Sequence, residues 1–302
     1  MLDVKELRQN TETIKKAMAS RNEDSCQIDK IIEWDEKRRE IIQKADLLKA
    51  KRNQLSKAVA KLKSTGKKEE AAKNIEESKD IGNQIKEYDE QLREIQEKQE
   101  ALLAQLPNIP SEKAPVGKNE KDNQEIMKWG EPRTFTFDPK PHWEIGPDMG
   151  MMDFERASKM SGAKFVILSK GLARLERALI NFMLDYHTEK NNYQEINIPY
   201  LVKRETMYAT GQLPKFEEEA YKTAPDDMFL IPTAEVFLAG MHKDEILEEN
   251  HLPKKYCAYS ACFRREAGSY GKDVRGMIRV HQFEKVELVK YTKPEDSYHE
   301  LE

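Results

Sequence analysis

Two runs of apolar residues at steps of three and four dominate the first third of the chain. Positions 31, 34, 38, 41, 45, 48, 52, 55, 59 and 62 carry Ile, Trp, Arg, Ile, Ala, Leu, Arg, Leu, Val and Leu, so eight of ten positions on one seam are apolar. That alternation is the a/d pattern of a coiled coil. The seam stops at Lys63-Ser64-Thr65-Gly66-Lys67-Lys68, where a glycine among small polar residues marks a turn. A second seam follows through Ile81, Ile85, Tyr88, Leu92, Ile95 and Leu102. One turn between two helices of about 30 residues predicts an antiparallel hairpin reaching about 45 Å at 1.5 Å per residue. Residues 1–25 predict a separate short helix ending near Arg21-Asn22. Pro107, Pro110 and Pro115 stop the helical region. The boundary is therefore placed near residue 115, with an arm and linker over 1–115 and a second domain over 116–302.

Beyond that boundary the pattern shortens and mixes. Residues 170–190 predict an amphipathic helix with Leu172, Leu175, Leu179, Phe182 and Met183 on one side. Tyr193 to Pro199 and the segment 228–232 read as strands, the second entering a helix at Thr233. Residues 255–265 and 277–291 read as two strands joined by a Gly-bearing loop over 269–275. Long strands without regular βαβ units predict a mostly antiparallel sheet with helices on one side, hence an α+β chain behind a helical arm.

Composition supports a long solvated helical part: 35% of residues are charged and only 38% hydrophobic. The net charge of −4 argues against a protein that coats phosphates everywhere. Locally the balance differs. Residues 44–73 hold ten basic and three acidic side chains, whereas residues 74–100 hold nine acidic and four basic. The first helix's outer half and the tip, with Lys57, Lys61, Lys63, Lys67 and Lys68, are the place for phosphate contacts; a face charged only for solubility reads the same way. Cys26, Cys257 and Cys262 form no disulfide framework or zinc-type spacing. The N-terminus shows no secretory signal and no run is long and apolar enough for a membrane helix, so a reducing, cytoplasmic setting is expected.

Candidate chemistry gathers in three places. Along 277–288, alternation puts Arg279, His281, Phe283, Lys285 and Glu287 on one strand face and Ile278, Val280, Val286 and Leu288 on the other. A cation, an aromatic ring and a carboxylate in one row could hold phosphate, a base and an ammonium group in turn; an ordinary half-exposed strand would also carry charges outside. Cys262-Phe263-Arg264-Arg265-Glu266 ends the preceding strand. Arg264 beside Arg279 could clamp phosphate oxygens, with Glu266 a structural partner on the plainer reading. Thr233-Ala234-Glu235 either caps a helix or presents a hydroxyl and a carboxylate to a small amine.

Together, the arm, TGQLPKF, PTAE and FRREAGSYGKDVRGMIRVHQFEKVE occur in an order that resembles the seryl-tRNA synthetases, class II aminoacyl-tRNA synthetases of bacterial type. The start, LDVKELRQNTE, is similar to their small N-terminal helix, and INIPYLV to class II motif 1 at the dimer interface. The resemblance implies activation of serine with ATP to seryl-adenylate, then transfer to tRNA(Ser), with tRNA(Sec) a second acceptor in the family. It implies serine binding by Thr233, Ala234, Glu235 and Glu287. It implies ATP binding by Arg264, Arg265, Glu266, Arg279, Val280 and Phe283, with Phe283 stacked on adenine. Arg264 and Arg279 would carry the catalysis, and Mg²⁺ would assist with Glu287 as a candidate ligand. His281 reads as structural. The arm would reach tRNA backbone through the five lysines, and the chain would be a homodimer.

The family's third motif, a Gly-rich element with an arginine for ATP, has no match, and the chain ends inside what reads as a further helix. An incomplete, weakly active or inactive chain is expected. The alternative is a non-catalytic, synthetase-like protein that binds tRNA or another coiled coil.

Overall fold

The computed structural model describes residues 2–266 and 275–302. The chain folds as two compact units, Met1–Gly130 and Glu131–Glu302.

The first unit is helical. In place of one short leading helix there are two, α1 (Val4–Gln9) and α2 (Thr11–Ser20), broken at Asn10. The hairpin is longer than expected: α3 (Cys26–Ser64) has 39 residues and α4 (Lys68–Leu103) has 36, or somewhat over 50 Å each at about 1.5 Å per residue. Gly66 makes the turn at φ +77°, with the Lys67 N–H donating to Leu62 O and the Gly66 N–H to Lys63 O. Those bonds close the helix end in the left-handed conformation that glycine adopts without strain. The core lies at the hairpin's base, where Leu7, Ile14, Met18, Ile28, Ile31 and Leu103 pack together. Further out, Ala45, Ala71, Ile81 and Ile85 are the buried apolar residues among those described.

One seam position departs from expectation. Trp34 is half-buried, while Asp35 is fully buried. Arg8 at 2.6 Å, Arg38 at 2.9 Å and Arg39 at 3.2 Å surround its carboxylate. A buried carboxylate is tolerated only when paired and hydrogen-bonded, and Arg8 thereby ties α1 to α3. Nearby, the buried Gln99 side chain donates to Ile31 O at 3.0 Å across the two long helices.

In the second unit, α5 (His142–Asp148), β1 (Met152–Asp153), α6 (Phe154–Ser161) and β2 (Ile167–Leu168) precede the long α7 (Lys170–Asn191). Then come β3 (Gln194–Glu195), β4 (Leu201–Lys203), α8 (Arg204–Ala209), β5 (Met228–Leu230), α9 (Glu235–Gly240), β6 (Lys254–Phe263), β7 (Gln282–Tyr291) and α10 (Ser297–Leu301). Among the described residues the strands form three small sheets: β1–β2, β4–β5 and β3–β6–β7. All pairs are antiparallel except β3 with β6, which is parallel. The strand expected over 193–199 thus shrinks to two residues, its continuation held by the Ile196 N–H to Cys257 O. Phe229, Ile231, Val236, Leu238, Tyr256 and Ala258 form the centre of the core.

Two expectations fail informatively. The strand expected from 277 begins at Gln282. Gly276 turns at φ +72°, His142 Nε2 accepts the Met277 N–H at 2.9 Å, and His281 N–H donates to Lys164 O at 3.0 Å. These bonds divert the backbone from the ladder, so Arg279 and Val280 lie off the strand, and Ile278 is exposed although Val280 is buried. The α7 stripe also differs. Leu175, Leu179 and Phe182 are exposed (52%, 49% and 62%), whereas Leu184 is buried. The helix is apolar on two sides, and the β-sheet covers only one.

Candidate active site

The site is built where β6, β7 and the β5–α9 corner meet. In the β6–β7 register Cys262 faces Phe283, Ser260 faces Lys285 and Ala258 faces Glu287. Phe283, Lys285 and Glu287 therefore share one face of β7. At the end of β6 the Phe263 N–H donates to Ile231 O at 3.0 Å. That bond brings Pro232 to Glu235 against Arg264.

Thr233 is almost fully buried, and its hydroxyl is saturated. It donates to Glu287 Oε2, and it accepts from Lys285 Nζ at 2.8 Å and from the Glu235 N–H at 3.3 Å. A hydroxyl offers one donor and two acceptor sites, so none remains. Lys285 also forms an ion pair with the same Oε2 of Glu287. The helix α9 begins at Glu235 rather than Thr233, with Ala234 fully buried as its cap residue. Glu235 lines the cleft and its carboxylate has no ion-pair partner among the described residues.

The opposite end is cationic and aromatic. Arg264 donates from Nε to Pro232 O at 3.3 Å, and its guanidinium lies 5.0 Å over the Phe283 ring. Arg279 Nη1 contacts Glu266 Oε2 at 3.0 Å. Two arginines in one cleft repel, and the Glu266 carboxylate offsets one of them. Glu266 sits at φ +47°, its carbonyl accepting from Lys164 Nζ at 3.2 Å. His281 braces this corner: its carbonyl accepts the Arg264 N–H and its Nδ1 donates to Arg264 O, both at 2.9 Å. Its ring packs against Phe165 and Tyr221.

Two clefts share Arg264, Glu266 and Arg279. One, about 320 Å³, also has Thr233, Glu235 and Lys285 in its lining; the other, about 540 Å³, has Val280 and Phe283. The structure thus gathers the expected polar groups around these clefts except Arg265, whose side chain is exposed and lines neither; Glu287 lines neither cleft itself and joins the site through Thr233 and Lys285. Gln212, Phe216 and Glu219 line the first cleft without having been singled out. The first two belong to the TGQLPKF block, which marked the family but suggested no role; Glu219 sits in an acidic run that carries no signal of its own. The glycine-bearing loop expected over 269–275 lies, but for Arg275, outside the described residues.

Two adjoining clefts with an exposed carboxylate at one end, arginines common to both and an aromatic ring at the other end suit an amino acid joined to a nucleotide. Consistent with this, residues 215–302 match the tRNA synthetase class II core domain shared by the G, H, P, S and T enzymes. The second unit thus carries class II aminoacyl-tRNA synthetase core sequence over residues 215–302. Residues 1–110 match the seryl-tRNA synthetase N-terminal domain. The chain is 57% identical over all 302 residues to the serine–tRNA ligases of Kosmotoga olearia and Thermotoga neapolitana, covering 71% of each. Among solved structures, it matches the Pyrococcus horikoshii seryl-tRNA synthetase complexed with ATP at TM-score 0.88 and 34% identity, covering 99% of this chain and 71% of that one. It matches the Naegleria fowleri cytoplasmic serine–tRNA ligase in complex with AMP at 0.81 and 31%, covering 100% and 69%. The chain belongs to the seryl-tRNA synthetase family.

Proposed function

We propose that this chain activates serine with ATP to seryl-adenylate and transfers the seryl group to tRNA(Ser). The observation that carries this is the pair of adjoining clefts, one with the Glu235 carboxylate and the other with the Phe283 ring, and Arg264 common to both. Glu235 would take the serine ammonium and Glu287 its hydroxyl. Arg264 would hold the serine carboxylate and the α-phosphate, Glu266 the adenine amino group, and Arg279 the γ-phosphate. Phe283 would stack on adenine beside the Val280 backbone. Adenylate formation brings two anions together by in-line attack of carboxylate on phosphorus. Its barrier falls when oriented cations meet the developing charge.

Mg²⁺, when bound to the triphosphate, would add to that neutralisation. Glu287 does not fit as its ligand, because one carboxylate oxygen already holds Thr233 and the Lys285 ammonium. Among the described residues no group of three His, Cys, Asp or Glu gathers to hold a metal. A cation that arrives with ATP and keeps its waters fits this site better.

Residues 1–115 would serve as the tRNA-binding arm and linker, and 116–302 as the catalytic part. Of the five expected tRNA contacts, Lys57, Lys61, Lys63 and Lys68 have no ion-pair partner among the described residues, while Lys67 meets Glu70 at 2.9 Å. Further back, Lys49–Asp89 and Lys51–Glu77 spend their charge across the hairpin. The homodimer would cover the exposed Leu175, Leu179 and Phe182 on α7. No helix among the described residues is long and apolar enough to cross a membrane. The cytoplasm is the compartment we propose, as in the name of the Naegleria relative.

Pyrophosphate–ATP exchange dependent on the added amino acid tests this reading. Serine alone is expected to support exchange by the complete protein. Exchange with threonine, alanine or proline but not serine would exclude it.

A further inference from the structure

Lys285 has no role in the scheme above, yet it is the cation nearest the serine end of the cleft. It lies midway between Phe283 and Glu287 on one face of β7, and its side chain is 30% exposed into the cleft lining. Its ammonium meets Thr233 Oγ1 at 2.8 Å and the Glu287 carboxylate. Both of the contacts to Glu287, from Lys285 and from Thr233, converge on Oε2. Oε1 makes no hydrogen bond to any described residue, on a side chain that is 18% exposed.

A carboxylate can rotate about its terminal bond, and that torsion is broad. Two donors on one oxygen remove this freedom and aim the other oxygen. The paired ammonium also changes what Oε1 attracts. With Lys285 beside it, Glu287 carries no net excess charge to offer a second ammonium, so its free oxygen suits a neutral hydroxyl. Glu235, exposed and unpaired, is then the partner for the substrate ammonium. Thr233, with its hydroxyl saturated, shapes the pocket without contacting substrate through that group.

We propose that Lys285 is a positioning residue that sets amino-acid specificity: with Thr233 it pins Oε2 of Glu287 so that Oε1 accepts the β-hydroxyl of the substrate. The assignment rests on the serine reading of this cleft. A site built to hydrogen-bond a substrate hydroxyl rejects the analogue lacking it, because the buried acceptor is then left unpaired. Releasing Glu287 from Lys285 relaxes that rejection.

The test is amino-acid-dependent pyrophosphate exchange by the full chain, comparing serine with alanine, for the unsubstituted protein, Lys285→Met and Lys285→Arg. Lys285→Met is expected to raise the KM for serine and to lower the serine-to-alanine ratio of kcat/KM by about 10–100-fold. The KM for ATP should stay within about twofold, because the nucleotide end does not use this ammonium. Lys285→Arg, which keeps the charge but not the single-point geometry, should fall between the two. Thermal melting checks that each variant is folded. A serine-to-alanine ratio unchanged in both variants would overturn the assignment, as would a KM for ATP that rises in step with that for serine. Exchange by the unsubstituted protein with another amino acid but not with serine would overturn the serine reading itself, and this assignment with it.

Discussion

The hairpin and the cleft solve the problem of placing charge in opposite ways. Along the hairpin most charges stand in water, and the basic ones near the tip that lack a partner are the ones free for an external anion. In the cleft nearly every charge is already matched: Arg279 with Glu266, Lys285 with Glu287, and Arg264 against the Phe283 ring and Pro232 O. A surface that binds a long polyanion through its backbone needs density of charge rather than fixed geometry. A site that must align two small anions needs each group held in one orientation.

The largest expected effect breaks the cleft and spares the hairpin. Arg264→Ala should lower kcat/KM for serine-dependent exchange by about 10²–10³-fold, the scale of losing one preorganised donor at a developing charge. Equilibrium binding of tRNA should not change. A parallel loss of tRNA affinity would show that the two regions do not act separately.

The next largest breaks the base of the hairpin. Burial by itself would raise the Asp35 carboxyl, but hydrogen bonds from Arg38 and Arg8, and their charges, hold it below its ordinary value of 3.8. A lowered folded value means that its contribution is complete above the unfolded value and is lost as pH falls through the folded one. Helicity of the arm should therefore be flat from neutral pH down to about pH 4 and fall below it. Asp35→Ala should cost on the order of 3 kcal/mol, since it leaves Arg8 and Arg38 facing a vacated, water-poor site. It should also abolish that acid-dependent step. Urea titrations followed by circular dichroism at several pH values measure both, and an unchanged midpoint in the variant would contradict the account.

A smaller effect sharpens the division within the cleft. Phe283→Leu keeps bulk but removes the aromatic face, and base stacking is worth about 1–3 kcal/mol. The KM for ATP should rise about tenfold or more while the KM for serine holds, by steady-state exchange kinetics. The smallest effect lies on the arm. Lys67→Ala should leave tRNA affinity within about twofold, because Glu70 already occupies that ammonium, whereas Lys61→Ala should lower the salt slope of binding by about one. Salt-dependent binding titrations distinguish the two.

The same contrast explains how much of the fold and of the site is legible in the sequence. Helix contacts recur at fixed spacing, so the seams announced α3, α4 and the turn at Gly66. What escaped was Asp35, whose partner Arg8 lies 27 positions away on another helix. In the cleft, alternation placed Phe283, Lys285 and Glu287 together correctly, because it is a local property of one strand. It failed at Arg279 and Val280, where bonds to His142 and Lys164 bend the chain. Nor could it show that Thr233 meets Glu287, 54 positions on, or that its hydroxyl is saturated. Those facts depend on which strands pair, and that is written in the packing of distant segments.

The central claim, that grip and chemistry are separate, is tested most directly by reversing Lys57, Lys61, Lys63 and Lys68 to Glu together. Both half-reactions are then measured on the same preparation. Serine-dependent pyrophosphate exchange should be unchanged, while the KM for tRNA in aminoacylation rises steeply and its salt dependence weakens. An equal loss in both half-reactions would contradict the account.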